Sequence, residues 1–347
     1  MNSRERWLAV LSGEKPDRVP MDMWAVPEVM EALRRHLGCA TDREVYRALE
    51  VDRPVRAEPA WQGPPRPADT DLYGIRRRRV HHRSGSYLEC ANHPLAGLDT
   101  VEEVEAAQTW PSADWFDFSV LPGRLAGLED LPLEGGGSEP FLTYKELRGE
   151  EQAYLDLIER PELVEHCLGR LFDFRYDYTR RILETLPGRV TYCYVAEDLG
   201  SQEGLLYSPR HIRRFFLPGM KRMADLAHQA GAHVFCHTDG AVRSILPDLV
   251  GIGIDILNPV QWRCPGMERA ALKRDFGDRL VLHGGVDNQR TLAFGTPEEV
   301  AAELAENLAT LGAGGGYIPA PCHNLQANTP LANILALYRR GRTSATP

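Results

Sequence analysis

Residues 190–195 read VTYCYV, 233–237 HVFCH, 254–259 IDILNP, 279–284 RLVLHG and 315–321 GGYIPAP. Between these short apolar runs lie stretches of helical spacing, near 209–230, 241–252, 267–276 and 297–312. In the last of them Val300, Leu304, Leu308 and Leu311 fall on one helical face. Short, almost wholly apolar runs alternating with helices are the pattern of parallel strands buried on both sides in βαβ units. Toward the N-terminus the signal weakens. Three more strands are expected at 19–24 (VPMDMW), 53–58 (RPVRAE) and 131–137 (LPLEGGG), with helices over 3–12, 27–37 and twice within about 151–186. Eight strands favour an α/β fold closed as a (β/α)8 barrel over a doubly wound sheet. No GxGxxG opens a helix after an early strand, so a dinucleotide-binding fold has no support.

Residues 59–130 break the alternation. They are dense in proline, glycine and charge, with antiparallel strands expected at 73–82 and 85–91. We read this stretch as an insertion or cap within a single 1–347 barrel domain. The chain is 43% hydrophobic and 26% charged with a net charge of −9, which argues against a dedicated nucleic-acid binder. A basic run, Arg76–Arg79 with His81, His82 and Arg83, reads either as a solvated edge strand or as a surface for an anionic partner. The seven cysteines form no CxxC pair, which suits a reducing compartment. The opening MNSRERWLAVLSGEKPDR has no apolar signal-peptide core, and no run approaches the length of a membrane span. The expectation is a cytoplasmic enzyme, with no membrane or nucleic-acid partner and with a homodimer allowed.

In such a barrel the chemistry gathers where strands end and βα loops begin. The last five strands end in Glu197-Asp198, in His237-Thr-Asp239, in Asn258 with Gln261, in His283-Gly-Gly-Val-Asp287, and in Cys322-His323-Asn324. Every end carries a group able to ligate a metal, move a proton or make a directional hydrogen bond. Glu197 and Asp198 are adjacent, so only one of them can face the mouth. His237 and Asp239 are two apart and share a face; they suit two ligands of one metal, or a histidine oriented by a carboxylate, though Asp239-Gly240 also reads as a helix cap. Cys322 could complete a zinc site with His237 and Asp239, a geometry suited to a thiol substrate, or be a small buried hydrophobe. His323, Asp239 and Glu197 are candidate catalytic groups. Asp22, Asp198, Gln202, Asn258, Gln261, Asp287 and Asn324 are candidate substrate- or cofactor-binding groups. Gly284 and Gly285 would leave room beneath a bulky planar ligand, and Gly135–Gly137 would let backbone approach a ligand or form a mobile loop.

At these same positions the sequence resembles the uroporphyrinogen decarboxylase superfamily. The matching stretches are RERWLAVLSGEKPDRVPMDMW, HPLAGLDTVEEVEAAQTWP, EDLGSQEGLLYSPRHIRRFFLPGMK, the HTDG strand end, IGIDILNPVQ, LHGGVDNQRTLAFGTPEEV and GGGYIPAPCHNLQANTPLANILALY. The resemblance implies a (β/α)8 barrel. The superfamily's heme-pathway decarboxylases carry an arginine-rich RQAGRY stretch after the first strand; here that region reads MWAVPEVMEALRR. The branch this chain resembles better contains corrinoid-dependent methyltransferases, which move a methyl group between methylcobamide on a small corrinoid protein and an acceptor. Thiol-methylating members hold zinc with a His-x-Cys pair and a later cysteine. His237 and Cys322 match that set, and Asp239 replaces the middle cysteine. The resemblance therefore implies a methyltransferase acting on a small-molecule thiol or, in a metal-free variant, on a tetrahydrofolate-type nitrogen. In the second case Asp239 or Glu197 would protonate or orient the acceptor. The alternative is a cofactor-free decarboxylase of a tetrapyrrole or smaller acid, with His323, Asp22 and Asn258 stabilising charge.

Overall fold

A computed structural model describes residues 1–82 and 85–341; Arg83 of the basic run lies outside the described residues. Seven strands form one all-parallel sheet, in sequential order around the barrel: β1 (Val55–Arg56), β2 (Leu133–Ser138), β3 (Tyr192–Val195), β4 (His233–His237), β5 (Ile256–Asn258), β6 (Val281–Val286) and β7 (Tyr317–Pro321). The eighth stave is the expected 19–24 segment. It forms no ladder, yet it bonds to both edges of the sheet. Asp22 N donates to Pro319 O at 3.0 Å on the β7 side, and Asp52 N donates to Met21 O at 2.7 Å just before β1. Val26 N and Leu325 N complete the seam, with an isolated parallel bridge between Ala25 and Leu325. The cylinder is closed.

Side chains fill it as a packed core. Tyr192, Phe235, Ile256, Val281 and Ile318 point inward from five strands. The N-terminal helix α1 (Ser3–Leu11) plugs the bottom with Trp7, which is fully buried, stacks on Tyr192 at 5.6 Å between centroids and donates Nε1–H to Asp52 O at 2.9 Å. The capping box between Asn2 and Glu5 fixes where that helix starts. Outside the barrel, helices Pro161–Thr185, Leu217–Gln229, Leu246–Gly251, Arg269–Phe276 and Pro297–Thr310 follow β2 to β6 in turn.

The 59–130 segment between β1 and β2 holds the hairpin Arg77–His82 with Gly85–Cys90 and a second antiparallel pair, Ala60–Trp61 with Phe116–Asp117. Its Ile75, Leu95, Val104 and Leu121 are buried in the same apolar cluster as the helices on that flank. Of the basic run, Arg77 on the hairpin is paired with Asp71 and Glu146, and Arg78 reaches Glu89. The glycines ending β2 serve packing, which corrects the expectation of ligand approach or a mobile loop. Gly137 has φ +142°, and a Cβ there would stand 1.8 Å from Tyr194 O on the neighbouring strand. The β2–β3 register shifts at this point.

Candidate active site

Two strand ends meet at the C-terminal mouth. Asp198 follows β3, His237 closes β4, and Asp239 lies two residues on; ligand atoms of all three lie within 4.8 Å of one another. Of the adjacent acidic pair, Asp198 faces His237, with Oδ1 3.9 Å from Nε2. Glu197 turns beneath it, buried, and accepts from Phe141 N at 2.9 Å. The imidazole of His237 packs with two aromatic rings, Trp24 at 5.6 Å and Tyr194 at 6.1 Å between centroids.

Asp239 opens into a cleft of about 400 Å³ lined also by Gln202, Gln261, Gln289, Phe294 and His323. Gln261 ties this wall together. Its Nε2 donates to Asp239 Oδ1 at 3.2 Å, while its Oε1 accepts from Gly240 N and from Gln202 Nε2. Asn324 sits half-buried beside His323. Asp287 lies on the rim but is committed elsewhere: it accepts from Gln289 N and Arg290 N and pairs with Arg263, so it holds the loop after β6 rather than facing the cleft.

Beneath the mouth a polar chain runs into the barrel. His237 Nδ1 is 2.6 Å from Asn258 Oδ1, and Asn258 Nδ2 is 2.7 Å from His283 Nδ1. His283 is fully buried, with Nε2 3.3 Å from Asp22 Oδ2 and without a hydrogen-bond partner among the described residues. Asp22 accepts from Met23 N, Trp24 Nε1 and Arg53.

Charge crowds the site. Burial pushes the Glu139 carboxyl up to about 7, against the pull of His237 and helped by the charge of Asp198. Burial also raises Asp239, and drives buried Glu197 well above the usual carboxylate range. Asp22 goes the other way: burial alone would raise it, but Arg53 and His283 hold it well below. The mouth thus gathers several carboxylates around the imidazole of His237, and among the described residues no lysine or arginine lines the cleft. A divalent cation would relieve that crowding, and one imidazole with two carboxylates is a donor set that zinc and other first-row metals accept.

Three expectations are corrected. Cys322 is outside the ligand cluster; its buried Sγ points at Val260 O, 3.3 Å away, and burial holds the thiol far above its ordinary value. Asp198 stands with His237 and Asp239 where the cysteine was expected. Asp22 is 1% exposed and its oxygens are taken, so it cannot touch a substrate. Gly284 and Gly285 leave no room for a planar ligand: a Cβ on Gly285 would stand 2.9 Å from Tyr317 Oη, and one on Gly284 3.2 Å from Pro259 and Val260. Sequence reasoning missed Glu139, which caps the end of β2 by the same strand-end rule, and Arg53, which neutralises Asp22.

The fold and site define an α/β barrel enzyme with a metal-competent, acidic cleft at its C-terminal mouth. Residues 125–343 match the family described as uroporphyrinogen decarboxylase (URO-D), and the chain belongs to that family. It is 28% identical over 190 residues to the uroporphyrinogen decarboxylase of Neisseria meningitidis serogroup C, covering 54% of this chain and 47% of that one. It is also 28% identical over 245 residues to that of Azoarcus sp., covering 69% and 61%. The chain spans about half the length of the first of these curated relatives. A methyltransferase from Methanosarcina mazei superposes over 100% of both chains with a TM-score of 0.70 at 20% identity, a likeness of fold.

Proposed function

We propose that this chain is a corrinoid-dependent methyltransferase, moving a methyl group between a methylcobamide carried by a small partner protein and a thiol or tetrahydrofolate-type acceptor. The observation that carries the reading is the arginine- and lysine-free lining of the cleft, with Asp239 in its wall and Asp198 beside it. A porphyrinogen bearing many carboxylates would meet like charge here, and Arg263 of the adjoining pocket is already paired with Asp287 and Glu303. A neutral or cation-bound acceptor fits.

Asp198, His237 and Asp239 would hold a zinc ion and leave a fourth position open to the acceptor. The ion would supply Lewis acidity that lowers the acceptor thiol's pKa. Gln261 holds Asp239 in place, and the rings of Trp24 and Tyr194 fix His237 in its plane. His323, in the cleft wall, and Glu139, poised to exchange a proton near neutral pH, serve as acid–base groups for a nitrogen acceptor. Phe294, 77% exposed on the cleft rim, offers an apolar foothold for the protein that presents the corrinoid.

The test is incubation of the purified, zinc-loaded protein with methylcobalamin and either a thiol or tetrahydrofolate, followed by the absorbance change on demethylation. Turnover with one acceptor supports the reading. No turnover with either, combined with carbon dioxide release from a porphyrinogen, would establish the decarboxylase instead.

A further inference from the structure

We propose that Asp22 is a positioning residue that acts through His283 and Asn258 to decide which nitrogen of His237 carries the proton, leaving Nε2 bare toward Asp198 and Asp239. Asp22 is an anion, held so by Arg53, and can only accept. A lone pair on His283 Nε2 facing that carboxylate at 3.3 Å would be repelled in a site that excludes water, so Nε2 carries the hydrogen. Arg53 already balances the charge of Asp22, so a second cation at His283, which is fully buried, would lack a counter-charge. His283 is therefore neutral and its Nδ1 bare. The amide of Asn258 must then turn its NH2 toward His283 and its oxygen toward His237. That oxygen accepts, so His237 carries its hydrogen on Nδ1.

One direction of hydrogen bonds thus runs from His237 through Asn258 to His283, whose Nε2 faces the carboxylate at 3.3 Å. Its product is a lone pair on Nε2, the atom that stands 3.9 Å from Asp198 Oδ1. The anion at the far end also makes Nε2 the better donor, as carboxylate-backed histidines are at metal centres. The chain crosses the barrel interior from Asp22 on the eighth stave, through His283 on β6 and Asn258 on β5, to His237 on β4.

The inference rests on the reading of His237 as the donor of the site, but its test needs no turnover. Long-range proton–nitrogen correlation on 15N-histidine-labelled, metal-free protein at pH 8, with the His237 signals assigned by their loss in His237→Gln, reads the tautomer directly. The expected result is a protonated Nδ1 and a bare Nε2. Protonation at Nε2 in the wild type would overturn the proposal. Asp22→Asn removes the charge that sets the direction, and His283→Phe cuts the link while keeping an aromatic ring among Trp7 and Phe235. In whichever of these folds, His237 should populate both tautomers and zinc should bind about 10–100-fold more weakly. An unchanged His237 spectrum in a folded variant would contradict the relay. If the tautomer is as expected but methylcobalamin is never demethylated, the methyltransferase reading fails and the relay stands.

Discussion

Glu139 is the side chain whose behaviour should report most on the electrostatics of the mouth. Its ordinary value of 4.5 is raised by burial to about 7. Between those values the native protein holds a proton that the unfolded chain has released, so this group's contribution to stability falls as pH rises from 4.5 to 7 and then levels off. At about 1.4 kcal/mol per unit the loss is on the order of 3 kcal/mol. Glu139→Gln should abolish that slope; comparing denaturant midpoints of the two proteins at pH 5 and pH 8 checks it, and parallel profiles would count against a buried, crowded Glu139. His237→Ala should reduce zinc affinity by more than the roughly 10–100-fold that outer partners are worth, as isothermal titration would show. At this scale the sequence was partly legible. Asp198, His237 and Asp239 are found by asking what stands at strand ends. Glu139 was not, because the glycine run before it drew attention to backbone freedom and away from the next carboxylate. Cys322 was misplaced because spacing along the chain does not say that a thiol turns toward Val260 O.

At the scale of elements, β2 and α1 carry the account. Gly137→Ala would drive a methyl into Tyr194 O and strain a left-handed φ, for a loss on the order of 3 kcal/mol. Trp7→Ala would empty the base of the barrel at a cost of about 3–5 kcal/mol. Chemical denaturation measures both, and a change below about 1 kcal/mol in either would show that the element does not pack as described. The later strands were readable because burial on both sides makes them continuous apolar runs. The 19–24 stave was readable as apolar but not as a segment lacking a ladder, since its bonds go to Pro319 and Asp52, which only closure brings near. The 59–130 insertion showed its hairpin, while its anchoring through Ile75 and Leu121 depends on a flank the local sequence does not contain.

For the whole molecule, the question is what the barrel presents to a partner and what it holds. Phe294→Ser, on an exposed side chain, should leave stability within about 0.5 kcal/mol while slowing methyl transfer from a corrinoid protein and sparing transfer from free methylcobalamin. Equal slowing with both donors would remove Phe294 from docking. Among the described residues no helix is long and apolar enough to cross a membrane. Asp198, His237 and Asp239 converge as a nitrogen-and-oxygen donor cluster that does not include Cys322. The direct measurement is the absorption spectrum of the cobalt(II)-substituted protein. A centre of one imidazole and two carboxylates gives visible ligand-field bands that depend on His237 and no near-ultraviolet thiolate-to-cobalt charge-transfer band. A strong charge-transfer band that vanishes in Cys322→Ser, or cobalt uptake unaffected by His237→Ala, would contradict it.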